Sequence, residues 1–452
     1  MYEDTFKLLK TADADFFDIY KENTYTRLIE AKNGKIESVR MGSDSGVGVR
    51  LTRGLSVLFS SLSDSSEASV YNAARFLSDI ASPKDGTHIV ELARKKAHLE
   101  AYGGYPCELE LVKEIFDTFN QIGYAKPEIK QVSITYSDKK QNITIINEKA
   151  HQIEEERIYT VLFIEMTAKK GDVIQSLRKP FGALGGFEFL KGFNFEEIAT
   201  NMREKLIELI NAPPLKAGTM SVVLSSEAGG TMIHEAVGHG LEADLVYESM
   251  SVYKDQLNNK VASEKITVVD DATIPKMRGS FAYDDEGTEA QNTLLIENGI
   301  LKNYMFDKTY AKLANKSSTG NARRESYRFP PIVRMSNTYI LPGEEDPQEI
   351  IASVDNGLFV KQMGGGQVNP VTGDFVFEVS EGYTIENGKI GHLVRGATLV
   401  GNGPKVLAEI DMVGNDFGVE VGTCGKGGQG VPVTDGEPTL RIPSILVGGS
   451  AL

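Results

Sequence analysis

Residues 220–244 read M-S-V-V-L-S-S-E-A-G-G-T-M-I-H-E-A-V-G-H-G-L-E-A-D. A strand-like run, Met220 to Ser226, feeds the glycine pair Gly229-Gly230 and then a helix that carries His234, Glu235 and His239. Imidazoles are common zinc ligands, and a carboxylate between them is what a metal-activated water needs as its proton acceptor. The stretch therefore reads as a hydrolytic metal site at the end of a strand.

Its spacing constrains the backbone. In the common H-E-x-x-H arrangement the histidines lie one helical turn apart and share a face. Here one residue more separates them, and at about 100° per residue the second imidazole is turned roughly 140° from the first. The helix must widen or end. A π-type turn brings positions i and i+5 to one face, and Gly238 and Gly240 are expected to supply the backbone freedom for it.

A catalytic zinc usually has three protein ligands and keeps the fourth position for water, so one donor must come from elsewhere. The chain has only two cysteines, Cys107 and Cys424. Cys424 lies in G-T-C-G-K-G-G-Q-G (Gly422 to Gly430), a loop whose small residues let backbone and ion approach closely, and is read as the third ligand. Glu242, Asp244, His392 or a distant carboxylate remain alternatives that spacing does not exclude. Glu235 is the candidate general base. Cys107, His88, His98 and His151 receive no role. Arg323, Arg324 and Arg328 could contact a peptide, although ion pairs within the fold are the commoner outcome. Gly364 to Gly366 lacks the lysine-serine pair of a phosphate cradle and reads as a tight turn.

Outward from the motif, Pro213-Pro214 closes the helix that Asn194 and Glu197 open as a capping box, and marks the best boundary in the chain. Before it, helices are expected over Glu3 to Thr11, Glu67 to Leu77 and Cys107 to Asn120, with alternating strands between them. Asn33-Gly34, Asn298-Gly299 and Asn387-Gly388 mark two-residue hairpin turns. The fold class is α+β. It comprises an N-terminal α+β domain (1–102), a central α+β segment (103–215) with curved antiparallel sheet and flanking helices, and a mostly-β C-terminal domain (216–452) carrying the motif helix.

At 452 residues the chain can bury large cores, and its 41% apolar and 25% charged residues place it among ordinary globular proteins. The net charge of −15 disfavours a phosphate backbone as partner. Lys139–Lys140 and Arg94 to Lys96 are too short for a basic patch and read as solvated helix or loop faces, so no nucleic acid is expected. The first residues lack a basic start and apolar core, no run is long enough to span a bilayer, and two cysteines suit a reducing compartment. A cytoplasmic location without membrane contact is expected.

The run Ser225 to Asp244 resembles the active-site segment of the TldD/PmbA family, on the TldD side because PmbA-type (TldE) paralogues lack H-E-x-x-x-H. Gly320 to Ile340, Gly364 to Tyr383 and the Cys424 loop are similar to family segments in the same order. The resemblance implies a metallopeptidase with one Zn2+ per active subunit, held by His234, His239 and Cys424, with Glu235 as general base. It also implies unfolded or extended peptides as substrates, in leader-peptide removal or degradation of disordered proteins. The implied partner is a TldE/PmbA-type paralogue or a second copy of the chain. Two other classes stay open: a metal-independent cysteine hydrolase using Cys424, and a non-catalytic peptide-binding subunit with a structural metal.

Overall fold

Alternation along the first long strand dictates how the N-terminal half is built. The structure, a computed structural model, describes residues 2–81 and 92–449; His88 lies outside them. Strands β1 (Phe16–Lys32), β2 (Lys35–Arg53), β3 (Ser56–Leu62), β4 (Ala93–Ala97), β5 (Ile129–Asn147), β6 (His151–Lys170) and β7 (Val173–Leu184) form one sheet, ordered β3-β2-β1-β5-β6-β4 with β7 also on β6. Every pairing is antiparallel except β4 on β6.

Successive side chains point to opposite faces. In β1, Phe17, Ile19, Ile29 and Ala31 face the helices, where α1 (Glu3–Thr11) and α2 (Glu67–Ala81) share one core, and α3 (Leu109–Gly123) and α4 (Phe195–Leu209) another. The other parity, Asp18, Tyr20 and Glu22, is equally buried, against the C-terminal half. There Arg50, directly across from Asp18, pairs with Asp18 at 2.5 Å and Glu286 at 2.6 Å, while Arg324 reaches Asp18 at 2.8 Å and Arg157 reaches Asp285 at 2.8 Å.

The expected α1 forms over its full range, and α2 and α3 run a few residues beyond the expected ends. Asn194 caps α4 by accepting the Glu197 N–H at 3.2 Å. Each Asn-Gly pair has both residues at positive φ, as a two-residue hairpin turn requires. Three readings are corrected. Lys139–Lys140 and Arg94–Lys96 lie in strands, not helix or loop faces, and Lys139 donates to the Glu325 carbonyl. Gly364–Gly366 is a bulged part of the strand Asn356–Val368 rather than a turn. The Cys424 segment is a hairpin, with Cys424 inside the strand Gly418–Lys426 and the turn at Gly427-Gly428.

In the C-terminal half, strand β8 (Gly218–Leu224) lies between Asn356–Val368 and Leu440–Gly448, and continues through Thr398–Asn402 to Asp374–Glu386. That last strand also pairs with Asn356–Val368, which closes the five strands into a barrel. A second, six-stranded sheet has Gly418–Lys426 at one edge, paired with Gln429–Glu437. The motif helix leaves the end of β8 and shares its apolar core with both sheets through Ile233, Ala236 and Val237. No helix of the described residues is long and apolar enough to cross a membrane.

Candidate metal centre

β8 ends at Leu224, and Ser225 starts the turn by accepting the Glu227 N–H on its hydroxyl. Gly229 and Gly230 follow at φ 90° and 78°, a left-handed pair that reverses the chain into Thr231. A Cβ on Gly230 would lie 2.5 Å from the Gly436 nitrogen, so strand and helix meet there only because no side chain intervenes.

From His234 to Gly238 the backbone is a π-helix, and the His239 N–H donates to the His234 carbonyl, the i to i+5 bond that the spacing demands. The two imidazoles then sit on one side, with ring centres 5.0 Å apart and planes at 89°. The expected role of the glycines is corrected. Gly238 has ordinary helical angles (φ −54°, ψ −55°), and Gly240 is not at positive φ. Both are needed for close packing instead: a Cβ on Gly238 would meet the Met335 sulfur at 2.0 Å, and one on Gly240 the Tyr253 ring at 2.6 Å.

The structure brings His234, His239 and Cys424 together, with one potential ligand atom from each lying within 4.8 Å of the others. Cys424 Sγ is 3.4 Å from His239 Nε2. Each Nδ1 is held from behind by a carboxylate: His234 by Asp435 Oδ1 at 2.6 Å, His239 by Glu242 Oε2 at 3.0 Å. Carboxylates on Nδ1 fix the tautomer that presents Nε2, the usual support of a metal-binding histidine. Two Nε2 atoms and a sulfur form a donor set suited to zinc.

Electrostatics agree with a shared cationic occupant. Burial opposes a Cys424 thiolate, but hydrogen bonds and charge from His234 and His239 outweigh it and hold the thiol at about 5. Burial opposes a charge on His239 too, and Glu242 with Cys424 overcomes it to raise the group to about 9. His234 is raised well above its ordinary value, as Asp435 and Cys424 overcome burial. The protons these imidazoles hold beside the thiolate are what a divalent ion displaces on binding.

Glu235 is not held in this way. It makes no hydrogen bond or ion pair among the described residues, and its carboxyl is raised by burial against the lowering influence of the two histidines.

The other donors left open by spacing fall outside this group of three. Glu242, fully buried, and Asp244 are both gripped by Lys426, whose Nζ lies 2.9 and 2.6 Å from them and also donates to the Val333 carbonyl. Burial works against the charge of Glu242, but Lys426 and His239 hold its carboxyl at about 2. His392 is exposed beside Glu386. Arg323 donates to the Met335 carbonyl, Arg324 is buried against Asp18, and Arg328 pairs with Asp44, so all three are engaged within the fold. Sequence reasoning missed Asp435, Lys426 and Arg334. Arg334 is fully buried and donates to the carbonyls of Cys424 and Gln429, which fixes the hairpin. Of these only Lys426 had a readable cue, two residues from Cys424 and so on the same strand face.

Residues 217–449 match the PmbA/TldA metallopeptidase C-terminal domain, and residues 17–81 match domain 1 of the same family. The chain belongs to the PmbA/TldD metallopeptidase family. Its relatives include a metalloprotease of Methanocaldococcus jannaschii, 36% identical over 445 residues that cover 96% of this chain and 97% of that protein. A zinc metalloprotease TldD homolog of Saccharolobus solfataricus is 32% identical over 343 residues, 76% of each chain. The fold is shared with the crystal structure of TldE from Thermococcus kodakarensis, at TM-score 0.77 and 16% identity over 99% of this chain and all of that one.

Proposed function

We propose that the chain is a TldD-type zinc peptidase that hydrolyses amide bonds in unfolded or extended peptides. The observation that carries this reading is the convergence of His234, His239 and Cys424 within 4.8 Å, next in sequence to a carboxylate, Glu235, that makes no hydrogen bond or ion pair among the described residues. His234, His239 and Cys424 are the proposed ligands of one zinc per active subunit, which supplies the Lewis acidity that activates water and polarises the peptide carbonyl. Glu235 takes the proton of the attacking water and delivers it to the leaving amine nitrogen. Asp435 and Glu242 hold the imidazoles so that Nε2 faces inward, and Lys426 keeps Glu242 ionised. The name of the zinc metalloprotease relative supports the choice of metal. The likeness to TldE supports a paired assembly, with a TldE-type paralogue or a second copy as partner.

A metal-free thiol hydrolase is less favoured because Cys424 is only 4% exposed, too enclosed to attack a peptide carbonyl directly. A chelator distinguishes the two, since it abolishes cleavage of a disordered substrate under the zinc reading and spares it under the thiol reading. Glu235→Gln lowers the cleavage rate about 100-fold or more with zinc content unchanged, given what general bases contribute. Full activity in that variant would remove Glu235 as the base and leave the thiol and the non-catalytic binding readings, which the chelator separates.

A further inference from the structure

Between α4, β7 and the edge strand Gly418–Lys426 lies a cleft of about 760 Å³, large enough for a side chain together with the backbone that carries it. Its floor is apolar, built from Phe181, Phe193, Val419 and Val421. Two of the cations on its walls are already neutralised: Lys205 lies 2.7 Å from Glu208, and Lys361 lies 3.9 Å from Glu227 and 4.0 Å from Glu381. Arg178 stacks on the Phe163 ring at 4.2 Å.

Glu420 differs from these. It lines the cleft, accepts no hydrogen bond and makes no ion pair among the described residues. Its carboxylate is lodged against Gly229, where a Cβ would come within 2.4 Å of Oε2, so the group is held in place by packing alone. Burial and the charge of Asp435, directly across the strand pair, push it up to about 7, with Arg178 a lesser opposing influence. It is an acid placed where an arriving cation would ionise it.

Glu420 and Cys424 lie on one face of the same strand, about 13 Å apart at the rise of an extended chain. That is the span of about four substrate residues.

We propose that this cleft binds a cationic nitrogen of the extended peptide, either a lysine or arginine side chain or the α-ammonium group, with Glu420 as the residue that reads it. The apolar floor receives the aliphatic stem, and the carboxylate receives the head. The net charge of −15 on the chain draws cationic peptides toward it. The proposal deepens the peptidase reading and rests on it for the register between cleft and scissile bond.

Binding can be read separately from cleavage. Zinc-loaded full-length Glu235→Gln protein is titrated, by fluorescence anisotropy, with N-acetylated uncharged decapeptides and with versions carrying one lysine or one norleucine at successive positions. The unacetylated parent is run alongside. A lysine at one register, or a free α-ammonium, is expected to tighten binding about tenfold over the acetylated norleucine peptide, as a charge-assisted hydrogen bond does. Lysine dependence identifies the side chain, and acetylation dependence identifies the α-ammonium. Adding Glu420→Gln should erase the preference while leaving binding of the neutral peptide intact. Equal binding of charged and neutral peptides, no binding of the charged ones, or a preference that survives Glu420→Gln overturns the proposal. Failure of the wild-type protein to cleave any of these peptides while the binding preference persists overturns the peptidase reading alone.

Discussion

Asp435 and Glu242 hydrogen-bond to imidazoles, whereas Glu235 has no such bond among the described residues, and under the proposed mechanism that contrast separates two carboxylates that would position ligands from one that would move a proton. Removing a carboxylate behind a metal-bound histidine typically weakens metal affinity about 10- to 100-fold. Asp435→Ala is therefore expected to raise the zinc dissociation constant by about that factor in a competitive chelator titration, and Asp435→Asn, which keeps an acceptor, by less. An unchanged constant in the alanine variant would detach Asp435 from the centre. At this scale His234, Glu235 and His239 stand out in the sequence because their types and spacing carry chemistry by themselves, and the fold gathers the two histidines with Cys424. Cys424 was found by its rarity and glycine-rich setting. Asp435, in a strand of otherwise ordinary alternation, carried no mark, since its role depends on a partner 201 positions away.

The motif helix takes the form that its spacing requires, a π-turn over His234–Gly238, yet the glycines in it serve a different end from the one read from sequence. Chain geometry alone shows that i and i+5 must meet. It says nothing of Met335, which approaches from the segment between the strands Ile332–Val333 and Asn337–Ile340 and leaves no room at Gly238. Gly238→Ala should therefore cost about 1–3 kcal/mol in urea unfolding, the usual penalty for overpacking. Met335→Ala is expected to relieve much of that cost when combined with it, giving a non-additive pair. Simple additivity would mean that the π-turn, not the contact, sets the requirement. The Cys424 hairpin illustrates the same limit. Its glycines read as a loop, but Gly422 and Gly425 lie within paired strand and only Gly427-Gly428 turn the chain, so composition hid the pairing with Gln429–Glu437.

Across the whole molecule, the central part of the N-terminal sheet is buried on both faces, while residues 35–45 of β2 are largely exposed. Strands such as β1 alternate apolar with charged residues, and sequence cannot show that Arg50, Arg157 and Arg324 wait opposite Asp18, Asp285 and Glu286. This charged layer joins the two halves. Burial penalises Asp18, but Arg50 and Arg324 outweigh it and depress its carboxyl below the ordinary value near 3.8. A depressed carboxyl stabilises the fold above its unfolded pKa and loses that contribution as pH falls through the folded one. Unfolding midpoints should thus drop below about pH 4, and Asp18→Asn, which takes an ion pair from buried Arg324 and one of two from Arg50, should cost about 3–5 kcal/mol at neutral pH and flatten the acid limb. The same long-range packing brings Cys424 to His239 across 185 positions of chain. X-ray absorption at the zinc edge tests that convergence most directly. The account predicts one zinc per chain with one sulfur and two imidazole nitrogens in its shell, and loss of the ion in Cys424→Ala. A shell without sulfur, or full zinc occupancy in that variant, would contradict it.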